Sequence, residues 1–156
     1  MRIHVCAVGR MRAGPERVLV DDYMARFDRT GRPLGLGPAA VTEIDDRRGG
    51  GMAAEAPLLL RAVPPGAEVV ALDERGRLLT SPEFADLVAA ARDRGRPALA
   101  LLIGGADGLD PVVRDRADML LSLGPMVWPH MLVRAMLAEQ LYRAATILAG
   151  APYHRA

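Results

Sequence analysis

The sequence predicts a single α/β domain over residues 1–156, in which a parallel-type sheet is flanked by helices. Short apolar runs alternate with helix-like segments along the whole chain, and this alternation is typical of a parallel sheet with helices on both faces. The 156 residues are 51% hydrophobic and 25% charged, which suits one domain with its own core. The sequence contains no internal repeat and no linker long enough to divide two domains.

The first half of the chain contains two predicted strands and two predicted helices. Arg2–Val8 has the apolar character of a buried strand. Pro15–Asp28 is a helix, with proline at its first position and a glycine shortly beyond its end. Ala39–Ile44 is a second, weaker strand. Met52–Val63 has a helical pattern, in which Pro57 either begins the helix or bends it.

The middle of the chain contains the clearest signals. Glu68–Leu72 is a third strand. Ser81–Arg94 is a helix that Ser81 can cap, with acidic residues near its start and arginines in its last turn. Ala98–Ile103 is a continuous apolar run, which is typical of a strand covered on both faces.

The last third adds two helices and a strand. Asp110 and Pro111 begin a short helix, Met119–Leu123 is the fifth strand, and Met131–Ala149 is the longest helix. Because strand and helix alternate throughout, we expect the strands to be parallel.

The composition excludes several functional classes. The 20 basic and 19 acidic residues leave a net charge of +1, which is too small for binding bare nucleic acid by charge alone. All basic residues are arginine, which excludes a lysine Schiff base and a Walker-type phosphate loop. The single cysteine and three scattered histidines predict no disulfide and no metal site. Without an apparent transmembrane run or leader, we expect a cytoplasmic protein.

Ligands of parallel sheets bind beyond the carboxyl ends of the strands. The corresponding loops here are Gly9–Arg12, Asp45–Gly51, Leu72–Arg77, Gly104–Gly108 and Gly124–Pro129. Gly104–Gly108 does not match GxGxxG, so spacing alone favours a tight turn. The nearly uncharged segment Ser122–His130 either packs as core or lines an apolar cavity, and spacing favours core.

The last predicted helix and the tail carry the remaining polar signals. Glu139 and Arg143 lie one turn apart and can pair. Arg134 projects from an apolar face, so it either reaches the surface along its own stem or binds a carboxylate or phosphate. The tail Pro152–Arg155 either simply docks or contributes to chemistry, since tyrosine stacks on bases, histidine moves protons and arginine binds phosphate.

Several motifs occur together and in order. They are Leu72–Asp73, Leu101–Gly108, Leu121–Leu123, Pro129–His130, Arg134, Glu139–Arg143 and Pro152–Arg155. In this combination the sequence resembles the ribosomal RNA large-subunit methyltransferase H family, a small member of the SPOUT superfamily. The resemblance covers essentially the whole chain and is strongest from Leu72 onward.

The resemblance implies a SPOUT-like α/β domain with a C-terminal trefoil knot, acting as a homodimer. It also implies an enzyme that methylates N3 of a pseudouridine in 23S ribosomal RNA with S-adenosyl-L-methionine. General topology rules predict an unknotted chain, so the knot is an expectation from the family alone.

The resemblance also implies the cofactor-binding positions. They are Leu72, Gly104, Leu123, Gly124, Pro125, Met126, Val127 and Trp128. At these positions Leu72 and Met126 offer apolar contact to adenine, and Gly104 lets the cofactor approach the main chain. The family often has hydroxyl-bearing residues where Gly124 and Val127 stand, so any side-chain contact made there by relatives is missing here.

The same mapping assigns residues to the RNA and to the chemistry. The substrate RNA positions are Arg134, Arg143, Tyr153, His154 and Arg155. Since N3 of the base must lose its proton to attack, a base and a cation near it would help. We expect His154 to be the base and Arg143 to stabilise the anion.

Two alternatives stay open at this point. One is a non-catalytic ribosome-associated factor with a SPOUT fold, and the other, less favoured, is a dinucleotide-dependent oxidoreductase. The missing GxGxxG argues against the oxidoreductase. The near-neutral charge favours recognition of the assembled ribosome by shape over binding of isolated RNA.

Overall fold

A computed structural model describes residues 1–45 and 49–154 of the chain. The predicted RNA contact at Arg155, and part of the Asp45–Gly51 loop, lie outside these residues. Within them, five strands form one parallel sheet in the order β2-β1-β4-β3-β5. The strands are β1 Arg2–Val8, β2 Ala39–Ile44, β3 Glu68–Leu78, β4 Ala98–Ile103 and β5 Met119–Ser122. The predicted parallel sheet is therefore confirmed.

Helices cover both faces of this sheet. They are α1 Pro15–Gly31, α2 Gly51–Ala62, α3 Ser81–Asp93, α4 Pro111–Arg116 and α5 His130–Leu148, with a short 3₁₀ turn at Arg32–Leu34. Helices α1, α3 and α5 pack on one face, and α2 and α4 pack on the other. The predicted flanking of the sheet by helices is confirmed as well.

The position of β4 in a sheet that is covered on both faces explains why its sequence is continuously apolar. Leu99, Leu101 and Ile103 belong to the core under α1, α3 and α5. The alternate residues, including Leu102, belong to the core under α2 and α4. Since successive strand side chains point to opposite faces, and both faces are covered, all six residues of β4 are buried.

The start of α3 differs from the prediction. Thr80, and not Ser81, caps the helix: its hydroxyl accepts the Glu83 amide N–H, and the Glu83 carboxylate accepts the Thr80 amide at 2.7 Å. Ser81 is the first helical residue, and its hydroxyl donates to Gln140 at 2.8 Å. A threonine followed three residues later by glutamate forms the reciprocal capping box, which outweighs a lone serine.

Strand β3 extends beyond its predicted end at Leu72 to Leu78. Leu121 of β5 is paired with Leu72 and, after a bulge, with Arg77. A Cβ at Gly76 would lie 2.6 Å from backbone atoms of residues 120 and 121, so this close approach requires glycine. The extension was missed because its residues are mostly charged and show no apolar alternation.

Two helix boundaries also differ from expectation. Helix α1 runs on to Gly31, which is buried. Gly31 packs closely on Leu36, since an added Cβ would lie only 3.1 Å from the Leu36 side chain. Helix α2 begins at Gly51 and contains Pro57 in its interior, so Pro57 does not begin the helix.

Candidate active site

The bulge of β3 and the loops that follow β4 and β5 enclose a cavity at the carboxyl edge of the sheet. We call it the three-loop cavity. Its walls come from residues 72–75, 103–109 and 121–130, with Met52, Arg114 and Val133 added from the neighbouring helices. Its volume is about 410 Å³, within the range of small-molecule sites.

The three-loop cavity brings together most of the predicted cofactor positions. Those on its wall are Leu72, Gly104, Leu123, Gly124, Met126, Val127 and Trp128. Pro125 lies in the same loop but not on the wall. Met126 and Val127 are 67% and 86% exposed, and apolar side chains held in the open beside a cavity are typical of a surface that a ligand covers.

Two positions in these loops require glycine for different physical reasons. A Cβ on Gly104 would overlap the backbone carbonyl of Gly108, and the Gly108 amide donates to Gly105 at 3.1 Å. Gly104 is thus required by the tight turn that spacing favoured. Gly124 has φ +115° and open space in its Cβ direction, so its conformation alone favours glycine.

Two buried polar atoms on the wall lack hydrogen bonds. Within the described residues, the indole Nε1 of Trp128 and the Nδ1 of His130 have no partner. An unmade buried hydrogen bond costs about 1–3 kcal/mol. Both atoms belong to the segment that forms one side of the three-loop cavity. A ligand bound against this segment can therefore supply the hydrogen bonds that they lack.

The three-loop cavity is apolar at one end and charged at the other. Val133 belongs to α5, and Met126 and Trp128 belong to the loop before it, whereas Arg114 belongs to α4 and Asp73 to the bulge of β3, with further charged neighbours. The Asp73 side chain is only 5% exposed, and its carboxylate lies 3.8 Å from Arg114 Nη1. The cavity therefore suits a ligand with one flat apolar end and one charged end.

A second polar group surrounds the docked tail. We call it the tail cluster; it consists of Glu139, Tyr142, Arg143, Tyr153 and His154. Glu139 Oε1 accepts from Arg143 at 2.7 and 3.0 Å and from the Tyr153 hydroxyl at 3.1 Å. The Arg143 guanidinium stacks 4.8 Å from the Tyr153 ring centre. The predicted pairing of Glu139 with Arg143 is confirmed.

Electrostatics within the tail cluster favour fixed protonation states. The hydrogen bonds to Glu139 raise the pKa of Arg143. Burial, together with hydrogen bonds to Tyr23 and Glu139, raises the pKa of the Tyr153 hydroxyl. Arg143 is therefore a permanent cation and Tyr153 a neutral donor.

His154 lies against Arg143, with 3.4 Å between its Nδ1 and the Arg143 Nη1. An arginine only donates, so Nδ1 accepts in this contact and the neutral ring carries its proton on Nε2. The lone pair that a general base needs thus faces Arg143, and removal of a proton by His154 requires this contact to open.

Arg134 is buried away from the tail cluster, with 1% of its side chain exposed. Its Nη2 donates to the carbonyls of Val8 and Gly9, the latter at 2.8 Å. Its Nη1 lies 3.6 Å from the Glu43 carboxylate. The side chain therefore joins α5 to the ends of β1 and β2, so of the two alternatives that the sequence left open, reaching the surface along its stem is wrong.

A second cavity of about 520 Å³ lies between the three-loop cavity and the tail cluster. It shares residues 121–124 with the first and has Glu139 on its wall. The rest of its lining is mostly apolar and comes from α1, the end of β3, α3 and α5. Sequence patterns do not predict it, because its residues come from several elements that are far apart in the chain.

The described residues contain neither a metal-binding cluster nor a membrane-spanning helix. Over residues 1–45 and 49–154, no group of three or more histidine, cysteine, aspartate or glutamate side chains is arranged to hold a metal ion. None of the helices in these ranges is long and apolar enough to cross a bilayer.

Comparison with known proteins shows a consistent likeness. A family model described as a predicted SPOUT methyltransferase matches residues 1–154. A "Ribosomal RNA large subunit methyltransferase H" of Cereibacter sphaeroides is 70% identical over 155 residues, with 99% of each chain covered. The proteins of that name from Roseobacter denitrificans and Dinoroseobacter shibae are 67% and 66% identical over the same coverage.

Solved structures show the same fold at low identity. A probable methylase family protein from Haemophilus influenzae has a TM-score of 0.54 at 15% identity, covering 99% of this chain and 70% of that chain. A probable methyltransferase from Bordetella pertussis has a TM-score of 0.55 at 16% identity, covering 92% and 96%. At these identities the likeness concerns the fold alone.

Proposed function

The chain belongs to the SPOUT methyltransferase family, and from this premise we propose that it transfers a methyl group from S-adenosyl-L-methionine to N3 of a pseudouridine in 23S ribosomal RNA. It is an enzyme that methylates large-subunit ribosomal RNA, as its relatives at 65–70% identity are named. The alternatives of a non-catalytic factor and an oxidoreductase are not favoured by these relatives.

The observation that carries the proposal is the three-loop cavity. It holds seven of the eight predicted cofactor positions on one wall. The apolar end suits adenine, the space in the Cβ direction of Gly124 is open, and buried polar atoms of Trp128 and His130 lack partners within the described residues. These features fit the donor, which when bound supplies a methyl group on an activated sulfonium.

The chain's own residues mainly place the reacting atoms. We assign Leu72 and the 123–128 loop, including Pro125, to binding and orienting the donor. Arg143, held as a cation by Glu139, stabilises negative charge that develops on the base once N3 loses its proton. His154 accepts that proton at Nδ1 when its contact with Arg143 opens.

The RNA contacts are assigned mostly to the tail cluster. Tyr153, a half-buried ring in contact with Arg143 and Tyr142, is assigned to stacking against a base, and Arg143 and Arg155 suit phosphate or charge contacts. Arg134 is buried among backbone carbonyls, so we assign it the support of the β1 end in place of the direct RNA contact that the resemblance implied.

We also propose a homodimer, working in the cytoplasm on assembled ribosomes. The support for self-association is the largely apolar face around the second cavity, where the exposed side chains of Leu19 and Leu78 flank the groove. Such a face is typical of a surface covered by a partner. The net charge of +1 is consistent with recognition of a preformed ribosomal surface.

The trefoil knot implied by the family is part of the same proposal. Leu121 of β5 is paired on both sides of the β3 bulge, at Leu72 and Arg77. The backbone at Leu121 also packs directly on Gly76. The knot itself is proposed from the family, and these contacts show only that β5 packs closely on the bulged part of β3.

The test is mass spectrometry of ribosomal RNA from cells that lack this protein. We expect one methyl group to be lost from one pseudouridine of the large-subunit RNA and restored by the wild-type gene. An unchanged methylation pattern would contradict the proposed activity. Restoration by an Arg143→Ala variant as efficient as that by wild type would contradict the assignment of Arg143.

A further inference from the structure

We propose that Arg114 binds the carboxylate of the methyl donor's amino-acid moiety, and that Asp73 holds Arg114 in position for this. The inference rests on the proposed function and extends it to the charged end of the three-loop cavity. Neither residue is among the cofactor positions that the family resemblance implied.

Arg114 has the geometry of a carboxylate ligand. It lies on α4, lines the three-loop cavity, and has 24% of its side chain exposed. Its Nη1 donates to the carbonyl of Leu109 at 2.6 Å. In the described part of the chain, no hydrogen bond engages its Nε or Nη2, so one edge of the planar guanidinium is available for a bidentate contact.

Asp73 fixes the orientation of this guanidinium. Its side chain is only 5% exposed, and its Oδ2 lies 3.8 Å from Arg114 Nη1. Its other oxygen accepts the backbone N–H of Arg75 at 2.9 Å. A buried carboxylate tied to the main chain is a rigid anchor, so it restricts Arg114 at little further entropic cost.

The distribution of polarity orients the donor in the cavity. Trp128 and Val133 form the apolar end beside α5, which suits adenine, whereas the α4 end carries both signs of charge. The amino-acid moiety is a zwitterion, with one carboxylate and one ammonium group. Arg114 complements the carboxylate, and the acidic residues of the same end, Asp73 and Asp107, complement the ammonium.

Arg75 is a weaker candidate for the same role. Its side chain is 63% exposed and is already within 3.4–3.6 Å of the carboxylates of Asp73 and Glu74. Ordering such an exposed side chain on a ligand costs conformational entropy that the anchored Arg114 largely avoids.

Calorimetric binding of two nucleosides tests the inference. S-Adenosylhomocysteine contains the amino-acid moiety, and 5′-methylthioadenosine lacks it. In Arg114→Ala we expect affinity for S-adenosylhomocysteine to fall about tenfold or more, the effect of losing a charge-assisted pair, and affinity for methylthioadenosine to stay within about twofold. Arg116→Ala is the matched control, because Arg116 is exposed on the same helix and does not line the cavity.

The outcomes separate this inference from the proposed function. Unchanged binding of S-adenosylhomocysteine to Arg114→Ala would overturn the inference and leave the methyltransferase standing. An equal loss for both nucleosides would also overturn it, since Arg114 would then only support the loop. If wild-type protein binds neither nucleoside, the proposed function itself fails.

Two further variants keep the test decisive if Arg114→Ala does not fold. Arg114→Lys keeps the charge beside Asp73 without the planar fork, so we expect a smaller selective loss for S-adenosylhomocysteine. Asp73→Asn should lower the ratio of the affinity for S-adenosylhomocysteine to that for methylthioadenosine. In the double variant Asp73→Asn/Arg114→Lys, this ratio should fall little further. A ratio unaffected by Asp73→Asn would contradict the positioning role.

Discussion

At the scale of single residues, Arg143 connects the tail cluster, because its guanidinium contacts both the Glu139 carboxylate and the His154 ring. The pairing of Glu139 with Arg143 followed from their spacing on one helix, and the structure confirms it at 2.7 Å. The contact between Arg143 and His154 Nδ1 did not follow, because no pattern predicts where a tail docks. That contact decides which ring nitrogen carries the proton.

The separate roles of Arg143 and His154 can be measured in single-turnover methyl transfer on ribosomes. We expect Arg143→Ala to lower the rate about 10²-fold or more through lost charge stabilisation. We expect His154→Ala to lower it by about 10²-fold, the scale of general-base catalysis. Full turnover in His154→Ala together with loss in Arg143→Ala would show that His154 is not the base. Arg29→Ala, at an exposed position of α1, is the control.

The buried Cys6 gives a pH-dependent prediction. Burial raises the pKa of its thiol from 9.0 to about 11, so the folded state retains a proton that the unfolded chain loses. The contribution of the protonated thiol to the free energy of unfolding is fully present below pH 9. It is lost as the pH rises toward 11, and the loss amounts to about 2–3 kcal/mol.

Denaturant unfolding of wild type and Cys6→Ala between pH 8 and 11 isolates this contribution. The wild type should lose stability more steeply than the variant, and the difference between them should shrink as pH rises. Tyr153, whose pKa is also raised, titrates in both proteins and cancels in the comparison. Parallel pH profiles for the two proteins would show that the Cys6 thiol is not desolvated in solution.

At the scale of elements, α3 begins with a capping box formed by Thr80 and Glu83. The sequence contains this motif, but the neighbouring Ser81 is also a possible cap and was predicted in its place. Thr80→Val removes the hydroxyl that accepts the Glu83 amide and should lower the free energy of unfolding by about 1 kcal/mol. Thr80→Ser keeps the hydroxyl and should change it by no more than a few tenths. Chemical denaturation measures both, and equal effects of the two variants would refute the cap.

Element boundaries were predictable where apolar periodicity marks them and not elsewhere. β1 and β4 have the predicted limits because their side chains alternate between two cores. The edge strand β2 also has its predicted limits, although half of its residues are exposed. The second half of β3 is charged, and it is held as a strand only by pairing with β5. Such long-range pairing overrides local propensity and has no local signal.

At the scale of the whole molecule, the parallel sheet followed from the sequence, and a cavity lies at the edge where the sequence predicts a ligand to bind. The order β2-β1-β4-β3-β5 places β3 between β4 and β5, so their three loops meet in one cavity. Gly9–Arg12, after β1, instead lies near Arg134 and does not line the three-loop cavity. Strand order is set by tertiary packing, so the alternation of strands and helices predicted five loops, and only the family resemblance selected positions in three of them.

The net charge of the molecule bears on its substrate. With a charge of +1, it has little counterion release to gain from isolated RNA. We expect methyl transfer on ribosomes or large subunits lacking this methyl group to be at least about tenfold faster than on a short RNA stem-loop of the same sequence. Equal rates would show that the RNA segment alone is recognised. Comparison at two salt concentrations controls for non-specific binding.

The most direct test of the account is a crystal structure with S-adenosylhomocysteine. We predict that the adenosine lies in the three-loop cavity against Leu72 and the 123–128 loop, with the amino-acid end toward α4. Electron density for the nucleoside elsewhere, or a three-loop cavity filled by the protein's own side chains in that complex, would contradict the central claim.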